Sequence, residues 1–190
     1  MGIRITPLSV TGVDAWLAFF DTRAFSDNPG WAGCYCTYFF RPRPKEAVGA
    51  GRRRRDYARW LMDSGRLQGY LAWHEDQVVG WCNANRKSAF TALAAGSSAD
   101  PVLAITCFMV DPAWRGQGIA DGLLTQVLED ARGQDWWWAE AYPNPRARSA
   151  AGKFHGSVAL FARHGFAAVR HGSSLLMCLP LSRTPGAMAR

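Results

Sequence analysis

The chain has 190 residues, of which 48% are hydrophobic and 19% charged, and a formal net charge of +7. That length permits one domain with a core needing no disulfide or metal staple, and the apolar fraction excludes intrinsic disorder. No apolar run reaches the roughly 18 residues of a membrane span, and the first ten residues, interrupted by Arg4 and Pro7, do not read as a signal peptide, so a soluble, cytoplasmic protein is expected.

Residues 2–7 (GIRITP) alternate and predict a first strand. Residues 12–23 carry Trp16, Leu17, Phe19 and Phe20 at helical spacing. The aromatic stretch 24–44 is broken by Pro29, Gly30 and Gly33, and excludes a regular helix. A helix over about 45–64 contains Arg52 to Arg55 and stops near Gly65. Strands at 68–74 and 77–83 meet at the Glu75–Asp76 turn, which makes a hairpin. Residues 86–100 are a loop or a short helix. The uninterrupted apolar run 102–110 (VLAITCFMV) predicts a strand buried on both faces.

From 116 to 133, Ile119, Leu123, Leu124, Val127, Leu128 and Ala131 recur at helical spacing, and Gly133 ends the helix. A strand at 135–142 (DWWWAEAY) follows, with the three tryptophans read mainly as core. Next come a loop at 143–152, a helix at about 155–164, and strands at 166–170 and 173–180 joined at His171–Gly172. The order β-α-α-β-β-β-α-β-α-β-β is α+β: a central mixed sheet flanked by helices in three layers. Residues 1–181 form one domain, and 182–190 a flexible tail.

Chemistry concentrates in VDPAWRGQGIAD, residues 110–121. A strand ends at Val110, Asp111 and Pro112 break it, and Arg115-Gly116-Gln117-Gly118-Ile119-Ala120 opens a helix. A helix N-terminus offers unpartnered N–H groups and positive potential, so it attracts anions. Gly116 and Gly118 keep side chains out of a phosphate's way, Ala120 stays small, and Arg115 adds charge. The dinucleotide fingerprint demands a third glycine where Asp121 stands, so spacing argues against that fold.

These residues resemble the GNAT N-acetyltransferases. Arg115 to Ala120 satisfies the family's [QR]-x-x-G-x-[GA] loop, and Val110-Asp111-Pro112 precedes it as is usual there. Ala159 to Phe166 (ALFARHGF) is similar to the family's fourth-helix motif, and the element order matches over nearly the whole chain. The resemblance implies acetyl-CoA as donor and no metal. It implies that backbone groups of Phe108 and Val110 pair with the pantetheine arm and that residues 116–121 hold the pyrophosphate. It also implies an amine entering where the strands ending at Val110 and Tyr142 splay apart, and direct attack on the thioester. The family often dimerises, so a homodimer is within what it implies. One departure stands out: the tyrosine that commonly protonates the leaving thiolate is matched here by Phe161. That substitution keeps a second reading open, a non-catalytic acyl-CoA-binding regulatory domain.

Glu140 and Tyr142 share one face of their strand, with Ala139 and Ala141 on the other. Glu140 is the candidate base, against a role as a surface or ion-paired carboxylate. Tyr142 is the candidate acid, against simple packing. His155 is a third candidate, against a capping role. Cys107 reads as a small core residue, with a thiol intermediate as the alternative. Trp31, Cys34, Tyr35, Cys36 and Trp81 would wall an aromatic pocket for an apolar or cationic small-molecule amine, or else cover the core. With an odd count of five cysteines and no export signal, reduced thiols are expected, and the Cys34–Cys36 spacing fits no common zinc site. Arg52 to Arg55 spread around their helix, which argues for a solvated surface and against nucleic acid.

Overall fold

The computed structural model describes residues 2–40, 51–94, 101–149, 151–170 and 175–181. The expected helical turn at 45–50, the 171–172 hairpin and the 182–190 tail lie outside them. Strands β1 (Ile3–Pro7), β2 (Gly69–His74), β3 (Gln77–Arg86), β4 (Val102–Val110), β5 (Trp138–Ala141), β6 (Ala167–Arg170) and β7 (Leu176–Pro180) form one sheet in the order β1-β2-β3-β4-β5-β7-β6. Helices are α1 (Val13–Thr22), α2 (Gly51–Asp63), the single turn α3 (Thr91–Ala94), α4 (Ile119–Arg132) and α5 (Val158–Arg163). The expected α+β layering holds. Among the described residues β4 and β5 are the parallel pair, and every other pairing is antiparallel.

Two apolar layers enclose the sheet. Trp16, Leu17, Phe19 and Phe20 of α1 and Ala58 and Leu61 of α2 pack on one face, against Leu71, Trp81 and Met109. The α4 stripe, with Leu160 and Phe161 of α5, packs on the other against Val79, Ile105 and Ala139. Leu123, Leu124, Val127 and Leu128 are essentially fully buried, each contributing about 1.5–3 kcal/mol of apolar burial.

The element that builds the site is an irregularity in β4. Asn83 pairs with Cys107 and Ala84 with Ile105, so Thr106 is an extra residue between two rungs, a β-bulge. The bulge resets the alternation: Ile105 and Phe108 face the α4 layer, while Ala104, Cys107 and Met109 face the α1 layer. On the opposite edge β4 pairs with β5 only over Val102 to Ile105. Beyond Ile105, β4 runs on to Val110 without β5, and the two strands part.

Several boundaries differ from the sequence reading. β3 reaches Arg86, three residues further than expected, because its antiparallel partner β4 continues to supply backbone bonds. β5 starts at Trp138 rather than Asp135, and Trp136 instead lies under the Arg86 guanidinium, 4.6 Å from its ring centre. α5 begins at Val158, not 155, since Ser157 caps it by accepting from the Leu160 amide at 3.1 Å.

Candidate active site

A cleft of about 510 Å³ runs from the N-terminus of α4 to the gap beside β4. Of the residues expected to bind a cofactor, Phe108, Val110, Arg115, Gly116, Gly118, Ile119, Ala120 and Asp121 line it. Gln117 turns away, its amide donating to the Ala113 carbonyl at 3.2 Å. Gly116 and Gly118 have φ of +75° and +80°, and a Cβ at either would meet no protein atom within 4 Å. Glycine is required there by the backbone, while the space a side chain would fill stays open to the cleft. An anion at the α4 N-terminus fits that cradle.

Two ion-pair groups border the cradle. Arg115 pairs through its guanidinium with Asp27, and its Nε donates to the Val110 carbonyl at 3.2 Å. The Arg115–Asp27 bond holds the Asp27 carboxyl below its ordinary pKa. Arg163 Nη2 sits 2.9 Å and His164 Nε2 3.2 Å from Asp121 Oδ1, and the Arg163 bond foremost lowers the Asp121 pKa. Asp27, Phe154, Lys153 and Arg163 also line the cleft and were missed by sequence reasoning. Arg163 lies within the 159–166 motif but was not singled out there, and Asp27, Lys153 and Phe154 come from irregular segments that no motif marks.

The gap between β4 and β5 is filled by the segment before α5. The Phe108 amide donates to the Phe154 carbonyl at 2.6 Å. His155 Nδ1 lies 2.6 Å from the Thr106 carbonyl. A carbonyl only accepts, so Nδ1 carries the proton and Nε2 keeps its lone pair in the neutral ring. Burial lowers the His155 pKa and favours that form. The expectation that Phe108 pairs directly with a cofactor arm therefore meets an amide already engaged, and the Val110 carbonyl is likewise held by Arg115. The Thr106 hydroxyl is buried and has no hydrogen-bond partner among the described residues.

Glu140 and Tyr142 lie on the α1 side of this gap. Glu140 is 9% exposed. Lys87 Nζ lies 3.1 and 3.0 Å from its two carboxylate oxygens, and the Tyr142 hydroxyl donates to Oε2 at 2.5 Å. Phe39 stands between the candidates, its ring 6.3 Å from Tyr142 and 5.6 Å from His155. Lys87, in the short turn after β3, had no sequence signal. Glu140 is thus an ion-paired carboxylate holding a tyrosine, and His155 is a neutral imidazole held through Nδ1; none of Glu140, Tyr142 and His155 is among the residues lining the cleft, which passes beside them at Phe154 and Gly156.

The expected aromatic wall divides. Trp31 lines the cleft, 40% exposed, with its ring 5.3 Å from that of Phe154. Trp81 is fully buried against Trp16. Tyr35 is buried, its hydroxyl donating to Asp21 at 2.6 Å, and that burial raises its pKa to about 12. Cys36 is buried against Cys107, and Cys34 is half-buried. Trp81 is core because it lies on β3 beneath α1, and Cys34, Tyr35 and Cys36 pack on the core because their loop folds back over β3 and β4; none of the four lines the cleft. Phe161, at the expected acid position, is fully buried against Phe108 and Phe166. Among the described residues no group of three or more His, Cys, Asp or Glu could hold a metal ion, and no helix is long and apolar enough to cross a membrane.

Residues 30–166 match the sequence model of the Acetyltransferase (GNAT) family. No curated protein matches the chain. Among solved structures, yncA from Salmonella typhimurium with its cofactor acetyl-CoA is 14% identical, with all of both chains covered and a TM-score of 0.58. The ribosomal-protein-S18-alanine N-acetyltransferase from Escherichia coli is 12% identical, with 98% of this chain and 99% of that one covered and a TM-score of 0.56. The paia N-acetyltransferase from Thermoplasma acidophilum in complex with coenzyme A is 12% identical, covering 95% and 99%, with a TM-score of 0.56. At these identities the likeness is one of fold.

Proposed function

The chain belongs to the acetyltransferase (GNAT) family, and on that premise we propose that it transfers the acetyl group of acetyl-CoA to a small-molecule amine by direct attack. The observation that carries this reading is a single cleft joining the open glycine cradle of α4 to the unpaired end of β4. Acetyl-CoA, when bound, supplies the thioester carbonyl. Gly116, Gly118 and the first turn of α4 hold its pyrophosphate, and Phe108, Val110 and Leu160 border its arm. Pairing of the arm at the Phe108 amide requires the Phe154 carbonyl to let go.

His155 is the base. Its Nε2 accepts a proton from the amine, directly or through a water, while Thr106 fixes the ring and burial keeps it neutral. Tyr142 is the proton donor to the leaving thiolate, in the role that Phe161 has no proton to fill. Glu140, anchored by Lys87, positions the Tyr142 hydroxyl. The acceptor approaches past Trp31, Phe39 and Phe154, rings that suit an apolar or cationic amine.

Initial velocities with both substrates varied test direct attack. Intersecting double-reciprocal lines, with no acetyl group retained on the protein, are expected. Parallel lines, with acetyl recovered on Cys107 or another side chain, would overturn it.

A further inference from the structure

Cys36 and Cys107 meet on the α1 side of the sheet, in the cluster that Cys34 also packs against. Cys36, on the loop after α1, donates its S–H to Cys107 Sγ across 3.0 Å. That separation is about 1 Å longer than a disulfide bond of roughly 2.05 Å. Cys82, one strand over on β3, faces the α4 layer instead. The two close partners are 71 positions apart in sequence. Cys107 follows the bulge residue Thr106 and precedes Phe108, the two residues whose backbone holds Phe154 and His155. Cys36 has a left-handed backbone, φ 47°, as does Tyr35, φ 44°. Its carbonyl accepts from Asn83 Nδ2 at 3.3 Å, which keeps the loop pressed on β3.

We propose that Cys36 and Cys107 are an oxidation site, where a small hydroperoxide converts the thiol pair to a disulfide that ties the 34–37 loop to β4. One thiolate sulfur attacks the peroxide O–O bond, giving a sulfenic acid and releasing hydroxide, which takes up the proton that the thiol gave up. The second thiol then attacks the sulfenic sulfur, forming the S–S bond and expelling water. The balance is two thiols and one H₂O₂ to one disulfide and two H₂O, with two electrons passing from sulfur to peroxide. Burial pushes the Cys36 thiol up; at Cys107 the bond from Cys36 works downward, but burial and the neighbouring thiols together leave it raised, so the reaction is slow and open only to small oxidants. A bond across that separation closes a long loop in the unfolded chain and stabilises the fold.

The test is peptide mass mapping of the full chain after hydrogen peroxide treatment, with free thiols alkylated before digestion. The expected result is a Cys36–Cys107 cross-linked pair lighter by two hydrogens, reversed by dithiothreitol. It should persist in Cys82→Ser and vanish in Cys36→Ser and Cys107→Ser. The oxidised wild type should also melt higher, by on the order of 10 °C. Recovery of both cysteines alkylated, or cross-linked to Cys34 or Cys82 instead, would overturn the proposal. The wild-type map decides the matter even where a serine variant fails to fold, and it is independent of whether the chain transfers acetyl groups.

Discussion

Replacing Gly118 by Ala separates two duties of the cradle. The residue has φ +80°, and a Cβ there meets nothing within 4 Å. The folded protein therefore bears only the left-handed backbone cost, about 1–2 kcal/mol. For a chain of this size that lowers Tm by roughly 2–8 °C. Gly65 supplies an internal control. Its φ is +68°, its Cβ space is equally open, and it does not line the cleft. Gly65→Ala should cost the same stability. Only Gly118→Ala puts a methyl group where a pyrophosphate oxygen would approach the helix amides. Its Kd for acetyl-CoA, measured by titration calorimetry, should rise at least about tenfold, equivalent to about 1.4 kcal/mol. Gly118→Trp should abolish binding. Wild-type affinity in Gly118→Ala, or equal losses in both alanine variants, would refute the assignment of this turn to the phosphates.

Three further outcomes are expected. Asp27→Ala frees the Arg115 guanidinium and removes a negative charge from the cleft, so the Kd for acetyl-CoA should fall roughly threefold or more at low salt; a rise would mean that the pair positions the loop instead. Glu140→Gln leaves Lys87 without a counter-charge in a half-buried site. It should cost about 1–3 kcal/mol in denaturant unfolding and lower kcat about tenfold or more with unchanged acetyl-CoA affinity; full kcat would remove Glu140 from the mechanism. The lowered His155 pKa sets the sign of a pH effect. Between the folded value and the unfolded value of about 6.5, the unfolded chain binds more protons. Stability therefore rises with pH across that window and is lost as pH falls through the folded value. Urea midpoints from about pH 4 to 7 should show that slope in the wild type and a shallower one in His155→Gln. An unchanged slope would place the titration elsewhere.

The parts of the fold legible in the sequence are those whose signal is local. Nine uninterrupted apolar residues announce β4, the stripe from Ile119 to Ala131 announces α4, and the glycines between them announce a turn. Alternation placed Glu140 and Tyr142 on one face, opposite Ala139 and Ala141. What could not be read depends on contacts made across the fold. The bulge at Thr106 arises from register against β3, and Val102 to Val110 carries no mark of it. Trp81 and Trp31 are the same residue type, yet one is sealed in the core and the other edges the cleft, because only the path of the 24–40 loop decides which ring is covered. His155, expected to open a helix, instead reaches the Thr106 carbonyl. Gly156, with φ +82°, and the Ser157 cap delay α5 by three residues and leave Phe154 and His155 to fill the gap.

The most direct test of the account is the release of free CoA from acetyl-CoA across a broad panel of small-molecule amines, with each acetylated product identified by mass. The account predicts at least one amine that drives steady release with a stoichiometric N-acetyl product, and loss of that release in His155→Gln with acetyl-CoA binding retained. Tight acetyl-CoA binding without release from any amine, or release that His155→Gln leaves untouched, would contradict it.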